Sequence, residues 1–274
     1  WKKPTGVEYN SLIKNNSKTR IGKSYLRNAV FGNQLKIWKW FYNNNKKLDS
    51  LNMINNGNLQ GASIEGNFVV PGSFWNEIYG STLNNLISDK KRPIIADLGA
   101  GYGKLAYYLI KDLKESVFID IDLPETICLA AYYLMTTFPE KKVFLYGEDD
   151  FNRNIIEKYD LIFLPSYEIT KLENDSVDLF INRNSLGEMS GDTAHHLIKM
   201  ISEKTNKYFF HMNHNNFRNK YENSKNGLLA SEYDIDKNIF KLIIKYPDLG
   251  HLTYKGGLDF NEDIFLHLYE KINI

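Results

Sequence analysis

A glycine-rich segment at residues 94–104 separates a short apolar run from a helical one. It reads IIADLGAGYGK, with Asp97 ahead of Gly99, Gly101 and Gly103. Glycines in such a turn let the backbone fold sharply and let a ligand approach the main chain. Dinucleotide sites need a third glycine or alanine at the sixth position of the motif, whereas here the third glycine falls at the fifth and a lysine takes the sixth. The spacing therefore favours a ligand without a pyrophosphate, such as S-adenosylmethionine (SAM), over NAD.

An acidic residue at the end of the next predicted strand completes this kind of site. Its carboxylate can accept hydrogen bonds from both hydroxyls of a ribose. Asp120 lies 23 residues after Asp97 and Asp122 lies 25 residues after it, and both close the apolar run that begins at Val117. Either residue fits the role, so the sequence leaves two ribose-binding candidates.

Two polar segments further along the chain hold the candidate acid–base residues. A hydroxyl that accepts a methyl group must lose its proton, and histidine or a carboxylate is the usual base. Residues 182–189 contain one acid, Glu188, and residues 211–216 contain His211 and His214. We expect His214 to be the base. His211 comes second because a histidine inside an apolar strand is more often a hydrogen-bonded core residue, and Glu188 is equally consistent with a solvent-facing carboxylate.

Two other groups of side chains are weaker candidates. His251 lies in a glycine-rich segment that can fold over an acceptor. Clustered carboxylates can hold a divalent cation that polarises a hydroxyl in place of a base, and Asp149 and Asp150 are adjacent acids in a predicted loop. Because Glu148 beside them is typical of a solvated turn, we predict no metal.

The elements that would position these residues begin at Arg92, where short apolar runs alternate with amphipathic stretches. This alternation is typical of βα units around a mostly parallel sheet. We predict strands at 94–97, 117–120, 161–164, 177–181, 208–212, 241–246 and 264–269. We predict helices at 104–113, 124–138 and 193–204. The expected fold is an α/β, Rossmann-like sheet of seven mostly parallel strands with helices on both faces.

The first part of the chain has a different pattern. Aromatic and basic residues at helical spacing alternate there with loops, so we predict an N-terminal, mainly helical cap and linker at residues 1–90 and a SAM-binding domain at residues 91–274.

Composition excludes several classes of partner. The 34 basic and 33 acidic residues are interspersed and give a formal charge of +1, so there is no field suited to nucleic acid. The longest apolar runs are far shorter than a membrane span requires. A single cysteine, Cys128, excludes an internal disulfide framework and favours a reducing compartment. We therefore expect a cytoplasmic protein that binds no nucleic acid and does not insert into a membrane.

The motifs resemble those of known enzymes. Asp97-x-Gly99-x-Gly101-x-Gly103 resembles the first motif of class I SAM-dependent methyltransferases, and the DLPE segment at 122–125 resembles that of many O-methyltransferases. The runs DLFIN at 178–182 and NSLGEM at 184–189 are similar to those of bacterial sugar O-methyltransferases associated with surface polysaccharide genes. The resemblance covers about residues 70 to 270.

The resemblance implies SAM as the cofactor, lying over the carboxyl ends of the early strands, and a small-molecule or glycan acceptor. It implies that Asp97 and the three glycines line the methionine part, that Asp122 or Asp120 binds the ribose, and that the residues after the third strand lie near the adenine. The cofactor contacts expected on this basis are Asp97, Gly99, Ala100, Gly101, Gly103, Asp120, Asp122, Leu123, Ser166, Tyr167 and Asn182.

Two other functions fit parts of the pattern. An NAD-dependent oxidoreductase shares the strand, glycine loop and helix, but the fifth-position glycine disagrees with it and no clear Ser/Tyr/Lys set is present. A methyltransferase fold that acts as a binding module without catalysis fits the cofactor motif equally well. The sequence leaves the acceptor, the methylated position and the oligomeric state open.

Overall fold

The computed structural model describes residues 20–57, 59–218, 227–248, 250 and 263–272. These residues fall into two compact units. The first contains the described residues up to Tyr79 together with Gly250, and the second contains Gly80–Asp248 and the described residues from Asp263 onward. The domain boundary expected after residue 90 stays a prediction. No described helix is long and apolar enough to cross a membrane.

The first unit mixes helices with a short hairpin. Its elements are α1 (Arg20–Phe41), a 3-10 turn (Leu48–Leu51), β1 (Ala62–Ile64), β2 (Asn67–Val69) and the start of α2 (Ser73–Ile87). Strands β1 and β2 pair antiparallel, so this unit differs from the mainly helical cap that was expected by containing a hairpin. Trp38 is completely buried, and its indole N–H donates to Glu77 Oε2 at 2.6 Å. The buried carboxylate also pairs with the Lys46 ammonium at 2.5 Å, so its negative charge is compensated.

The second unit is an eight-stranded sheet connected mainly by helices. Its strands are β3 (Ile94–Leu98), β4 (Val117–Asp122), β5 (Val143–Leu145), β6 (Leu161–Pro165), β7 (Val177–Arg183), β8 (Thr205–His214), β9 (Phe240–Pro247) and β10 (Ile264–Lys271). Its further helices are α3 (Lys104–Asp112), α4 (Pro124–Thr137), α5 (Arg153–Lys158) and α6 (Gly191–Lys204). Three 3-10 turns lie at Ser166–Lys171, Leu186–Glu188 and Ala230–Glu232.

The strand order is β5-β6-β4-β3-β7-β8-β10-β9. Neighbours from β5 to β8 are parallel, while β10 runs antiparallel to both β8 and β9. All seven predicted strands of the sheet are present. The eighth, Val143–Leu145, was missed, so the predicted count of seven is wrong.

Local sequence explains how the helices of this unit begin. Pro124 occupies the first turn of α4, where its missing N–H costs nothing. Ser190 caps α6, with its hydroxyl accepting from the Thr193 N–H at 3.3 Å. Between helices and sheet, the core consists of side chains that are almost wholly removed from water, including Ile119, Phe180 and Phe209.

The order of the strands fixes where a ligand can bind. After β3, the chain forms β4, β5 and β6 on one side of it. It then crosses to the other side of β3 to form β7 and β8. The order therefore reverses between β3 and β7. In sheets of this type, ligands bind outside the carboxyl ends of the strands at such a reversal.

Candidate functional site

The glycine loop follows β3 at this reversal. Gly99, Gly101 and Gly103 all have positive φ, at 82°, 66° and 88°, so the loop has a backbone that side chains disfavour. A Cβ atom at Gly99 would lie 2.5 Å from the Ser185 hydroxyl, and one at Gly103 would lie 3.0 Å from Leu134. A Cβ at Gly101 would meet no atom within 4 Å. The loop is thus packed at both ends and open at its middle glycine, where a ligand can reach the backbone.

Asp122 closes the loop from the next strand. Its Oδ2 accepts from the Gly101 N–H at 3.0 Å and its Oδ1 accepts from the Leu123 N–H at 2.7 Å. A carboxylate has about four acceptor positions, so each oxygen keeps one for a further donor. Burial raises the pKa of Asp122, and these two backbone N–H groups oppose that shift. The remaining positions match the two hydroxyls of a ribose.

The other ribose candidate lies elsewhere. Asp120 is completely buried, and neither of its carboxyl oxygens has a hydrogen-bond partner. It pairs with Asp97 in the register of β3 and β4. This placement argues against contact between Asp120 and a ribose, because a ligand at the strand ends would meet Asp122 first.

Two exposed side chains flank the ends of β4 and β6. The register pairs Asp122 with Pro165, so Leu123 and the residues after Pro165 lie at the same edge. Leu123 is 56% exposed and Tyr167 is 61% exposed. Ser166 between them is partly exposed.

A chain of buried amides crosses the strand reversal. The Asn182 side-chain amide donates to the Leu98 carbonyl at 2.8 Å, and its oxygen accepts from the Asn213 amide at 2.8 Å. The Ser185 hydroxyl also donates to Leu98, at 3.1 Å. Asn182 has no exposed surface, and its side chain is hydrogen-bonded within the sheet.

The candidate base lies where β8 ends. His214 is partly exposed, and its Nδ1 lies 2.6 Å from Asp263 Oδ2. Since a carboxylate only accepts, Nδ1 donates, and in the neutral form of the ring Nε2 is the nitrogen that can accept a proton. The other Asp263 oxygen accepts from the N–H groups of Asn216 and Phe217, at 3.2 and 2.9 Å. Asp263 therefore fixes both the tautomer of His214 and the loop that follows it.

Glu188 lies beside this histidine. The 3-10 turn that carries it packs against β8, since a Cβ at Gly187 would lie 3.9 Å from His214 Cδ2. Burial raises the pKa of the Glu188 carboxyl, and the neighbouring His214 opposes that shift. Glu188 is exposed, so it is placed to contact a ligand as well.

These contacts give the geometry of the site, and the comparisons with known proteins bear on its fold. No family model and no curated protein matches the sequence at a significant level. A candidate sarcosine dimethylglycine methyltransferase from Galdieria sulphuraria superposes with a TM-score of 0.51 at 10% identity, over 78% of this chain and 94% of that protein. The chain has a Rossmann-like methyltransferase fold.

Two further solved structures match less closely. The magnesium protoporphyrin IX methyltransferase of Synechocystis PCC 6803, solved with bound S-adenosylhomocysteine (SAH), gives a TM-score of 0.47 at 10% identity over 73% of this chain and 85% of that one. A mitomycin 7-O-methyltransferase gives 0.46 at 10% identity over 73% of this chain. The match spans 55% of that second protein, about half its length.

The remaining sequence candidates have different outcomes. His211 is completely buried, with its ring 4.4 Å from that of His267, and this placement argues against a role as base. His251 lies outside the described residues. In the part of the chain that the structure describes, no group of three or more His, Cys, Asp or Glu side chains is arranged to hold a metal ion.

The sequence analysis missed Asp263, Asn213 and Arg183. Asp263 directly precedes β10, whose first residue pairs with His214 in an antiparallel register. The order of the last strands could therefore have revealed Asp263, because placing β10 beside β8 brings Asp263 next to His214. Arg183 is the last residue of β7, and its guanidinium opposes the rise in pKa that burial causes at Asp97 and Tyr102. Ile181 pairs with Asp97, and Arg183 follows Ile181 by two residues, so Arg183 lies on the same face of the sheet as Asp97.

Proposed function

We propose that this chain is a SAM-dependent methyltransferase that methylates a hydroxyl group, with a sugar or glycan precursor as its acceptor. The observation that carries the proposal is the His214–Asp263 pair at 2.6 Å on the sheet edge that also bears the open glycine loop. A neutral amine attacks a methyl donor without help, whereas a hydroxyl needs a base. An oriented imidazole therefore favours an oxygen acceptor.

The residues present suit the cofactor. The open backbone at Gly101 and the spare acceptor positions of Asp122 suit the ribose and the adjoining part of SAM. Leu123 and Tyr167 offer exposed faces for the adenine, with Ser166 beside them, and Asp97, Gly99, Ala100 and Gly103 would surround the methionine part. When bound, SAM supplies a methyl group already activated by its sulfonium.

The protein's own contribution is to orient the acceptor and to take up its proton. Held by the glycine loop and Asp122, SAM would supply the methyl group for the acceptor oxygen, and its sulfur would keep the electron pair of the broken carbon–sulfur bond. The hydroxyl proton goes to His214 Nε2, and Asp263 stabilises the resulting imidazolium. A positioned base of this kind contributes about a hundredfold to ten-thousandfold in rate.

Polar groups around the base support a polyhydroxylated acceptor. Glu188, Asn184 and Asn216 are exposed close to His214 in sequence or in the adjoining turn. Amide and carboxylate groups can each bind sugar hydroxyls, and a site rich in them rejects acceptors that lack such groups. This density of amides is the support for a sugar rather than an apolar aromatic acceptor.

The first experiment tests the cofactor. Isothermal titration calorimetry with SAM, SAH and NAD on the purified chain should show binding of the first two and none of NAD. Binding of NAD without SAM would overturn the proposal and favour an oxidoreductase.

The second experiment tests the base. Methyl-labelled SAM is incubated with a panel of free sugars and nucleotide sugars, and single-turnover rates are measured with the acceptor that reacts. His214→Gln should lower the rate by about a hundredfold or more and leave the Kd for SAM within about twofold. Asp263→Asn should lower the rate as well and change its pH profile, because the tautomer is no longer fixed.

The matched control is His196→Gln, since His196 is an exposed histidine on α6. It should leave the rate unchanged. A near-normal rate for His214→Gln would remove His214 as the base and transfer the role to Glu188. Transfer only to amine acceptors would refute the assignment to hydroxyls.

A further inference from the structure

The even total charge of the chain conceals a strongly basic segment. Of the 34 lysine and arginine residues, nine lie between residues 9 and 48, while none of the 33 acidic residues does. The remainder of the chain therefore has a net negative charge. A concentration of one sign of charge creates a local field that attracts anionic partners, which the whole-chain charge of +1 does not show.

The described part of this segment carries an exposed aromatic pair. Trp40 and Phe41 are the last two residues of α1, and they are 72% and 43% exposed. Trp38 is completely buried, and residues two positions apart lie on nearly opposite sides of a helix. The helix end thus packs inward through Trp38 and presents the Trp40 indole to the outside.

The turn after α1 holds this helix end in a defined conformation. Asn43 and Asn44 have positive φ angles of 50° and 60°, which asparagine tolerates better than most residues. The Asn43 N–H donates to the Trp40 carbonyl at 3.0 Å, and the Asn44 N–H donates to the Lys39 carbonyl at 2.7 Å. These bonds cap the helix, so Trp40 is carried on an ordered element.

Lysines accompany the aromatic pair. Lys36 lies one helical turn before Trp40, on the same side of α1, and Lys47 follows the turn; both side chains are exposed. Lys39 lies 3.9 Å from Glu65, and because both of these side chains are exposed the pair compensates little of its charge. The basic tip, defined as Lys36, Lys39, Trp40, Phe41 and Lys47, therefore combines positive charge with exposed aromatic surface.

We propose that the basic tip binds the surface of an anionic lipid bilayer, with the Trp40 indole among the headgroups and the lysines close to the lipid phosphates. Indole rings are enriched at membrane–water interfaces because they are apolar at one end and donate a hydrogen bond at the other. Lysines beside them add attraction to anionic lipid. The contact is peripheral, since one aromatic pair reaches no deeper than the interfacial region. The inference goes beyond the proposed function and does not depend on it.

Nucleic acid is the other polyanion that a basic surface attracts, and two features favour the bilayer. Sites that stack nucleobases combine aromatic rings with a groove that follows the phosphate backbone, whereas Trp40 stands out from a helix end. The cations of the basic tip are all lysines. Nucleic-acid sites favour arginine, because its planar fork binds a phosphate with two hydrogen bonds.

Vesicle flotation measures the binding on the whole chain. The purified protein is mixed with vesicles of phosphatidylglycerol and phosphatidylcholine in equal parts, or of phosphatidylcholine alone. We expect flotation with the anionic vesicles only, and a loss of binding when the salt concentration is raised about tenfold, because the exposed charges are then screened. No flotation with the anionic vesicles, or equal flotation with both kinds, would overturn the proposal.

A double variant tests the lysines. Each lysine near an anionic bilayer contributes about fivefold to binding, so Lys36→Gln combined with Lys47→Gln should weaken the binding by about twentyfold. The matched control combines Lys114→Gln with Lys199→Gln, which removes two exposed lysines from the second unit. It should bind as the wild type does. Equal losses in the two double variants would show that the basic tip is not the binding surface.

Tryptophan fluorescence tests the position of the indole. Emission should shift to shorter wavelength when anionic vesicles are added, because the Trp40 ring leaves water, and this shift should disappear in Trp40→Phe. Trp40→Ala should also weaken flotation by about tenfold, since it removes the apolar anchor. Tyr132→Ala, which removes a 60% exposed aromatic side chain from α4, is the control and should leave flotation unchanged. A shift that persists in Trp40→Phe would refute the placement of Trp40.

Competition distinguishes lipid from nucleic acid. Single-stranded oligothymidine and a short DNA duplex are each added to the protein with the anionic vesicles, and neither should displace the protein from them at equal phosphate concentration. Displacement by either one, lost in the Lys36 and Lys47 double variant, would assign the basic tip to nucleic acid and overturn the proposal. Vesicle binding is measured without SAM, so a failure to bind SAM would refute the proposed function alone.

Discussion

We predict that a buried histidine pair makes this protein sensitive to acid. His211 on β8 and His267 on β10 are cross-strand partners with stacked rings, 4.4 Å apart and inclined at 18°. His211 has no exposed surface, and neither of its ring nitrogens has a hydrogen-bond partner. Burial, together with the nearby Lys245 ammonium, lowers the pKa of His267 to about 4. Burial, with His267 and Lys245 as neighbours, lowers the pKa of His211 well below its ordinary value.

The sign of the effect follows from these lowered values. The folded protein keeps His267 neutral, while the unfolded chain protonates it below its ordinary pKa of 6.5. The unfolded state thus binds more protons between pH 6.5 and pH 4, and stability falls as the pH falls through this range. At pH 4.5 the loss from His267 alone is up to about 2.5 kcal/mol. Against a typical stability of about 5–15 kcal/mol, this is a large fraction.

Denaturant unfolding at pH 7.5 and pH 4.5 measures the effect. Wild type is compared with His267→Phe, which keeps a ring in the stack but does not titrate. We expect the variant to lose about 2 kcal/mol less stability between the two pH values than the wild type does. Other shifted groups, including Asp97 with its opposite sign, are common to both proteins and cancel in the difference.

An exposed histidine provides the control. His196→Gln should reproduce the pH dependence of the wild type, since this side chain is open to solvent. If His267→Phe and wild type lose the same stability, then His267 is not held neutral by burial and the reasoning fails.

Two further predictions concern the loop and the start of β3. Gly101→Ala should lower the free energy of unfolding by only about 1–2 kcal/mol, because its Cβ has open space and only the left-handed backbone is strained. Gly99→Ala should lower the stability clearly more in thermal melts, because its Cβ would lie 2.5 Å from the Ser185 hydroxyl. A comparable cost for both variants would contradict the packing described at Gly99. Asp178→Ala should destabilise by about 2–4 kcal/mol, since this buried carboxylate accepts from the Lys90 ammonium at 2.6 Å and from the backbone N–H that begins β3 at 2.9 Å. Lys90→Met should lower the free energy of unfolding by less than about 1 kcal/mol, because the Lys90 side chain is half exposed. The denaturant midpoints of the Asp178 and Lys90 variants measure the difference.

The sequence predicted those parts of the fold that local pattern determines. Every strand predicted for this sheet is present, because each is an apolar run between turn signals. The glycine loop was predictable because its three glycines have positive φ angles that few other residues tolerate. The strand Val143–Leu145 was missed because three residues are too few to show a period. The hairpin of β1 and β2 escaped for the same reason.

The site was less predictable than the strands because its contacts join distant parts of the chain. His214 and Asp263 are 49 residues apart, and they meet only because β10 inserts between β8 and β9 in the antiparallel direction. Spacing alone also could not separate Asp120 from Asp122. The register decided between them, since one carboxylate accepts from the glycine loop and the other is sealed beneath it.

The buried amides explain how the two halves of the site stay in register. The glycine loop follows β3, and His214, the proposed base, ends β8, which is separated from β3 by β7. Asn182 on β7 bonds to the carbonyl of Leu98 on one side and to Asn213, the residue before His214, on the other. Because these groups are buried, each hydrogen bond is costly to leave unmade, so the spacing between the glycine loop and His214 is held rigidly. The proposed in-line methyl transfer depends on that spacing, and the buried amides that hold it lie at the strand reversal itself.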